Sequence, residues 1–397
     1  MSAELEQQLK DAFDRLPKPA RETSARARSA ALAALGTNDR RSSRGLILSL
    51  VVVALAVGAG AAALAATGNL RVGIGARQKH VRPVPTRLSV PPGSHGIALV
   101  AGGKLWLATR SGLRIEGMPV SAAELSPRAL YAVVGIGSSL VAVAPGNRHP
   151  WVHPVGGRVV AASWSPDGLK IAYVVAQRGG YELRMIEGDG SPDRLVVRGV
   201  SPARPSWRPD SLAVAYVDAG GRAAVYDLGT GGLRTFDTRK CGGVTRGVAY
   251  APRGRRLAVA GRNGLALVER WDVRPGCVGL GPAETINAVG WLSPQTVLTT
   301  DTPLRRLGAA SVLRFYRVGL DTLRPFEGAG FSSAALHAVA VSPAGTRLMV
   351  AHASGRRMLE LSIDPSPAEL VQNGRLRLGP GLFRVRAPAA QVAVSWR

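Results

Sequence analysis

The sequence predicts an all-β fold, a β-propeller of seven four-stranded blades, preceded by a short helical segment and one transmembrane helix. Three observations support this prediction. A proline turn followed by an apolar strand recurs six times, at intervals of 39 to 49 residues. One repeat unit contains four short strands separated by glycine-rich turns, and an uncharged segment of 22 residues precedes the repeats. A six-bladed ring is the alternative, if residues 92–160 form a single irregular blade.

Residues 1–44 are predicted to form a cytoplasmic helical segment. One face of a first short helix carries the apolar side chains of Leu5, Leu9, Phe13 and Leu16. A second helix follows the prolines at positions 17 and 19 and ends at Gly36. Two helices this short enclose little core, so we expect them to pack on a partner, on each other or on the membrane.

Residues 45–66 are predicted to form an uncleaved transmembrane helix. Their sequence, GLILSLVVVALAVGAGAAALAA, carries no charge and is long enough to cross a bilayer core at ~1.5 Å per residue. A cleaved signal peptide is the alternative, because Ala63, Leu64 and Ala65 resemble a cleavage site. The apolar run is nevertheless longer than the usual ~7–15 residues of such peptides, and 44 residues precede it.

The charges beside this segment predict its orientation. Arg40, Arg41 and Arg44 crowd its N-terminal flank, whereas Arg71 is the nearby charge on the other side. Counted over about twenty residues per side, the balance is nearly even, so the prediction depends on the immediate flank. Because positive residues favour the cytoplasmic side, we expect a single-pass protein of the plasma (inner) membrane with residues 67–397 outside the cytoplasm.

Residues 67–90 have no regular period and are predicted to be a mostly extended linker, and residues 91–397 are assigned to the propeller. The repeated turns are 39, 43, 43, 42 and 49 residues apart when aligned on their prolines, Pro127, Pro166, Pro209, Pro252, Pro294 and Pro343. A period of roughly 40–45 residues with four short strands per unit is typical of a propeller blade.

The turn motif has a residue for each structural task. A Trp precedes the turn and is expected to pack between blades, Pro fixes φ, Asp accepts a bond from the backbone two residues on, and Gly takes the left-handed position. The motif residues are Trp164, Pro166, Asp167, Gly168, Trp207, Pro209, Asp210, Pro252, Gly254, Pro294, Pro343 and Gly345.

The two ends of the propeller are predicted to complete one blade together. Residues 391–397, QVAVSWR, resemble the strand that leads into each turn. Residues 91–110 provide a turn and strands that lack such a leading strand. Counting this blade with the six proline copies gives seven, and pairing the two ends would close the ring.

The segments WSPDGLKIAYV (164–174) and WRPDSLAVAYV (207–217) resemble the WD40-like, or PD40, repeats of TolB-type propellers. Three other copies depart from the pattern at the Asp position, which holds Arg253, Gln295 and Ala344. The resemblance implies a propeller over about residues 92–397. TolB-type proteins carry an α/β domain before the propeller, where this chain has the predicted membrane helix, so the resemblance implies a relative in fold rather than an equivalent.

No catalytic, cofactor-binding or metal site is predicted. The chain lacks the Gly-x-Ser-x-Gly elbow of serine hydrolases and a phosphate-binding glycine loop with its Lys. His149 and His153 could share a strand face, but no Cys or carboxylate is near them in sequence. A propeller enzyme, lactonase- or hydrolase-like, with carboxylates meeting in the central channel, is the alternative function.

Cys241 and Cys277 are the two cysteines of the chain and lie 36 residues apart. Outside the cytoplasm an isolated pair usually bonds, so we expect a disulfide between them. Two free thiols are the alternative if the orientation is reversed.

The chain is strongly basic, with 51 Lys and Arg against 26 Asp and Glu and a net charge of +25. The arginines are scattered along turns and strand ends instead of forming a block, so the charge reflects either attraction to an anionic partner or base composition. No specific nucleic acid is expected, and the oligomeric state is left open.

The expected function is a membrane-anchored, extracytoplasmic binding or scaffold module that meets an envelope protein or anionic wall polymer through a rim of the ring. The layout resembles that of membrane-bound anti-sigma regulators, which implies a link to signalling through residues 1–44. Zinc-containing members of that group carry a His and a Cys pair in this segment, and residues 1–44 contain neither.

Overall fold

The computed structural model describes residues 85, 87–145, 149–269, 276–279, 284–303, 311–319, 323–333, 336–342, 347–355, 358–363, 381–387 and 392–397. The compact unit that contains them is Pro83–Arg397. The predicted helical segment at 1–44 and the predicted membrane helix at 45–66 lie outside the described residues. Among the residues that are described, no helix is long and apolar enough to span a bilayer.

Seven four-stranded antiparallel sheets make up the described fold, which confirms the all-β seven-bladed propeller. Blades 1 to 3, from first to fourth strand, are β28 (Ala393–Trp396), β1 (Gly96–Ala101), β2 (Lys104–Thr109), β3 (Arg114–Pro119); β4 (Ala122–Leu125), β5 (Ala132–Ile136), β6 (Ser139–Val143), β7 (Val152–Pro154); and β8 (Arg158–Trp164), β9 (Lys170–Gln177), β10 (Gly180–Glu187), β11 (Asp193–Arg198).

Blades 4 to 7 follow the same order. They are β12 (Ser206–Trp207), β13 (Ala213–Val217), β14 (Ala223–Asp227), β15 (Leu233–Phe236); β16 (Thr245–Tyr250), β17 (Leu257–Gly261), β18 (Gly264–Val268), β19 (Gly276–Gly279); β20 (Glu284–Ser293), β21 (Thr296–Pro303), β22 (Ser311–Val318), β23 (Leu323–Ser333); and β24 (Leu336–Val341), β25 (Leu348–Gly355), β26 (Met358–Ile363), β27 (Gly381–Arg386). A short helix, α1 (Arg239–Gly242), lies between blades 4 and 5.

The first strands of the blades form the inner wall of a closed ring, because each contacts the first strand of the next blade all the way round. Neighbouring strands in a blade are antiparallel, so the connections from first to second strand lie on one face of the ring. We call these connections the inner turns and the face that carries them the turn face. The hairpins between second and third strands lie on the opposite face.

An apolar cluster fills the space between each pair of neighbouring blades, which gives seven clusters in the described part of the ring. The second strands are buried on both sides; every residue of β13, AVAYV, is buried. Because both faces of a second strand such as β13 are buried, the sequence after the turn is apolar throughout and does not alternate between apolar and polar residues. Burying a Val or Leu side chain is worth about 1.5–3 kcal/mol, so each blade depends on both neighbours.

Blade 1 is completed by the C-terminal strand, as predicted from residues 391–397. The first strand β28 pairs with β1 in an antiparallel register that places Trp396 opposite Ile97 and Ala393 opposite Val100. Beyond the strand, the Arg397 carbonyl accepts hydrogen bonds from the amides of His95 (2.6 Å) and Gly96 (3.0 Å). The ring is therefore closed by hydrogen bonds between the two ends of the propeller.

Part of the segment that the sequence assigned to the linker, residues 67–90, packs against this ring. The Arg384 amide in β27 donates to the Pro85 carbonyl at 3.0 Å. Leu88 is 2% exposed and belongs to the cluster between blades 7 and 1. The compact unit therefore begins before residue 91, where the sequence assigned the start of the propeller.

Val394→Asp tests the closure of the ring. Val394 is buried in the cluster between blades 7 and 1, so an aspartate there should lower the free energy of unfolding by about 3 kcal/mol. Its neighbour in β28, Ala393, is exposed, and Ala393→Asp is the matched control with little expected effect. Urea denaturation of both variants measures the difference, and equal stability would contradict the role of β28.

Candidate binding face

The inner turn of blade 3 shows how the motif residues build the turn face. Ser165 Oγ donates to Asp167 Oδ1 at 2.5 Å and accepts from the Lys170 amide at 2.8 Å, while the Leu169 amide donates to Asp167 Oδ1 at 3.0 Å. Burial opposes ionisation of Asp167, but these hydrogen bonds hold its pKa below the ordinary value. Gly168 has φ +77°, the left-handed conformation that favours glycine. The turn is thus fixed by its own side chains.

The inner turn of blade 4 repeats this arrangement with an ion pair. The Leu212 amide donates to Asp210 Oδ1 at 3.0 Å, and Arg208 Nε donates to both carboxylate oxygens of Asp210 at 2.8 Å. Burial would raise the pKa of Asp210, but the hydrogen bonds from Arg208 and the Leu212 amide lower it further than burial raises it. Ser211 takes the left-handed position with φ +60°.

The other motif residues lie on the same face where the structure describes them. In blade 5, Pro252 is exposed and Gly254 has φ +79°. In blade 6, Pro294 lies in a short connection between β20 and β21. Pro343 and Gly345 in blade 7 lie outside the described residues.

The tryptophans before the inner turns lie at or near the ends of the first strands and are buried between blades. Trp164 lies in the cluster between blades 2 and 3. Trp207 Nε1 donates to the Ser163 carbonyl at 2.8 Å, and Trp291 Nε1 donates to the Ala249 carbonyl at 2.8 Å. Each of these two indoles ties its blade to the preceding one beside the inner turn.

Three arginines are exposed on the inner turns without an ion pair among the described residues: Arg128 in blade 2, and Arg253 and Arg255 in blade 5. Two neighbours on this face are paired, since Arg208 contacts Asp210 at 2.8 Å and Arg256 contacts Glu269 at 2.6 Å. The turn face therefore presents exposed arginines that form no ion pair among the described residues, and of these Arg255 interacts electrostatically with Asp210.

An ion-pair triad joins three blades at the inner wall. Glu124 of β4 is 1% exposed, and its Oε1 accepts from Arg397 at 2.6 Å and contacts Arg204 at 2.5 Å. These residues belong to blade 2, to the end of the chain after β28 and to the segment before β12. Sequence reasoning missed the triad, although Glu124 stands out as an acidic residue in a strand that leads into a turn.

A second polar network links blades 2 and 3. Asp193 accepts from Tyr173 Oη at 2.7 Å and from Arg184 at 2.7 and 3.0 Å, and His153 Nε2 lies 3.2 Å from it. Burial would raise the pKa of Asp193, but Arg184 and Tyr173 hold it below the ordinary value of 3.8. His149 lies outside β7, so the two histidines do not share a strand as the sequence suggested.

Ion pairs leave Asp193 and Asp210 poorly suited to proton transfer. Each contacts an arginine that helps to hold its pKa below the ordinary value, which stabilises the ionised form and makes a poor general base. Glu124 contacts two arginines, Arg204 and Arg397. Within the described ranges, no group of three or more His, Cys, Asp or Glu side chains is arranged to hold a metal ion.

The structure pairs Cys241 with Cys277, whose Cα atoms are 5.1 Å apart. Cys241 lies in α1, in the connection from blade 4 to blade 5, and Cys277 lies in β19, the fourth strand of blade 5. The bond fastens this connection to the outer edge of blade 5.

No family model matches the sequence, and no curated protein matches it. Solved structures do match its fold. A functionally unknown protein from Desulfotomaculum acetoxidans DSM 771 has a TM-score of 0.52 and 12% identity, covering 72% of this chain and 99% of its own. The WD40 repeats of RRP9 have a TM-score of 0.50 and 10% identity, covering 74% and 86%.

TolB from Acinetobacter baumannii is a further structural neighbour, with a TM-score of 0.46 and 13% identity over 79% of this chain and 68% of that one. Propellers with WD40 repeats are thus among the structures whose fold this chain resembles. At these identities the likeness shows the fold alone.

Asp193→Asn tests the network between blades 2 and 3. An ionised Asp193 with a lowered pKa stabilises the fold above pH 4, and this contribution is lost as the pH falls through the lowered pKa. The variant should therefore lose about 2 kcal/mol near pH 7, and the deficit should shrink in acid. Asp189→Asn, at an exposed position nearby, is the control. A deficit that does not change between pH 7 and pH 3 would contradict the assignment.

Proposed function

We propose that this chain is a non-enzymatic binding module that meets an acidic partner through the turn face of its propeller. The proposed partner is an envelope protein or an anionic wall polymer, reached outside the cytoplasm by a ring anchored through residues 45–66. The observation that carries the proposal is a set of exposed arginines on the inner turns, Arg128, Arg253 and Arg255, for which the described residues provide no ion pair.

A rigid frame makes these turns suitable for recognition. Binding residues commonly lie on loops that a regular scaffold positions, and the inner turns begin directly at the inner wall of the ring. Because side-chain hydrogen bonds already order the turns of blades 3 and 4, little backbone ordering is needed on binding. The net charge of +22 carried by residues 67–397 adds long-range attraction to an acidic partner, which salt would screen.

Tethering would strengthen a modest affinity. A ring tethered to the membrane through the proposed linker, residues 67–90, would meet other envelope components at a high effective concentration. A weak, charge-assisted contact at the turn face would then be sufficient for a scaffold role.

Arg253→Ser combined with Arg255→Ser tests the proposal. In a crosslinked pull-down of the full chain from native cells, the double variant should recover an envelope component roughly three- to tenfold less well, because two charge contacts are lost. Arg178→Ser combined with Arg262→Ser is the matched control, since both arginines are exposed in hairpins on the opposite face. Equal loss in both double variants would contradict a specific role of the turn face.

The enzymatic alternative makes a different prediction for the same preparation. Turnover of a lactone, glycoside or peptide that is abolished by Glu124→Gln, at the inner wall, would overturn the binding role. The expected result is no turnover with either protein.

The proposed location outside the cytoplasm is tested by the cysteines. Thiol labelling of denatured, unreduced protein from its native membrane should detect no free thiol at Cys241 or Cys277. Reduction before labelling is the control and should yield both thiols. Two labelled thiols without reduction would argue that the ring lies in the cytoplasm.

A further inference from the structure

The inner turns of blades 2, 3 and 4 each carry an exposed leucine at the same position. Leu130, Leu169 and Leu212 lie three residues after the turn proline and are 46%, 60% and 52% exposed. We call these three residues the leucine row. Tyr131, beside the first of them, is 43% exposed. Three successive blades thus present large apolar side chains that are exposed on the turn face.

The turns that carry the leucine row touch one another. A Cβ atom placed on Gly168 in blade 3 would lie 3.6 Å from Cδ of Pro127 in blade 2. The Asp167 amide in blade 3 donates to Ser211 Oγ in blade 4 at 3.1 Å. The three leucines therefore belong to one continuous surface and not to three separate loops.

Exposed arginines lie at both ends of this surface. Arg128 precedes the leucine row in blade 2, and Arg255 occupies the leucine position in blade 5, with Arg253 beside it. Blade 5 is joined to blade 4 at this level, since the Tyr250 amide donates to Ser206 Oγ at 2.9 Å. An apolar stretch is thus flanked by guanidinium groups that lack an ion pair among the described residues.

The carboxylates within the same turns offset this charge only in part. Asp167 accepts hydrogen bonds from Ser165 and Leu169. Asp210 is bonded to Arg208, and the nearby Arg255 guanidinium also helps to lower its pKa. Arg128 and Arg253 form no ion pair within the described residues, so both ends of the leucine row remain positively charged.

We propose that the leucine row is the docking site for an acidic segment of a partner protein. Apolar side chains of that segment cover the three leucines, and carboxylates at its two ends meet Arg128 on one side and Arg253 and Arg255 on the other. This inference rests on the proposed binding function and names the class of partner: a peptide segment with apolar residues between acidic ones.

The leucines favour a protein segment over an anionic polymer. Covering apolar surface contributes roughly 25 cal/mol per Å², and only a partner with apolar side chains gains this free energy. A polymer of charged, hydrated units would contact the arginines equally well but would desolvate the leucines without apolar partners. Exposed apolar surface rimmed by charge is characteristic of protein interaction sites.

The test is selection of peptides on the full chain in detergent micelles. The probe is a phage library of random peptides of about twelve residues, whose extended reach is ~40 Å. Enriched peptides should place apolar residues between Asp or Glu residues. One enriched peptide, synthesised with a fluorescent label, should lose affinity about tenfold or more on Leu169→Ser combined with Leu212→Ser.

Matched variants separate the leucine row from general surface changes. Val152→Ser and Leu233→Ser remove equally exposed apolar side chains elsewhere, at 56% and 52% exposure, and should leave the affinity unchanged. Arg128→Ser combined with Arg255→Ser should weaken binding and reduce its salt dependence, whereas the Arg178 and Arg262 double variant should not. Thermal unfolding curves that match the parent chain confirm that each variant is folded.

Three results would overturn the inference: no enriched peptides, enriched peptides without acidic residues, or unchanged affinity for the Leu169 and Leu212 double variant. Competition by polyglutamate of equal length, as strong as by the selected peptide, would also overturn it and indicate a polyanion site. If the pull-down still depends on Arg253 and Arg255 in that case, the binding role stands and the leucine row alone is wrong.

Discussion

Each blade of this ring has two apolar faces, and the rest of the structure depends on covering both of them. A blade such as blade 4, whose second strand β13 is buried along its whole length, cannot be stable alone. Neighbouring blades cover these faces through the clusters between them, and the last face is covered when β28 pairs with β1. Closure also leaves few free strand edges, which protects a repetitive sheet protein from association through its edges.

The same constraint decides which side chains are free for recognition. Trp164 and Trp207, at the ends of their first strands, are buried between blades, and Trp207 donates a hydrogen bond to the Ser163 carbonyl of the preceding blade. These contacts hold the start of each following inner turn in place. Side chains farther along these turns, such as Leu169 and Arg255, face outward and are not needed to hold the ring together. The propeller can therefore carry an exposed apolar and basic surface without weakening its core, which is what the proposed binding role requires.

The spacing of the turns was sufficient to predict the blades and the closure, because the turn and the strand after it are local features. The hydrogen bond from the Leu169 amide to Asp167 is local in the same way and follows from the residue types. The contact between Glu124 and Arg397 could not be predicted, since it joins residues 273 positions apart whose facing side chains no periodicity specifies. The exposure of Leu169 could not be predicted either, because in the sequence this leucine looks like the first residue of the apolar strand that follows the turn.

Hydrogen–deuterium exchange of the full chain, with and without the envelope component recovered by crosslinking, tests the central claim that binding occurs at the turn face. Binding at the turn face predicts slower amide exchange in the inner turns of blades 2 to 5, residues 126–131, 165–169, 208–212 and 251–256. Hairpins on the opposite face, such as 178–179 and 262–263, should exchange at the same rate in both samples. Protection confined to those hairpins, with the inner turns unchanged, would contradict it.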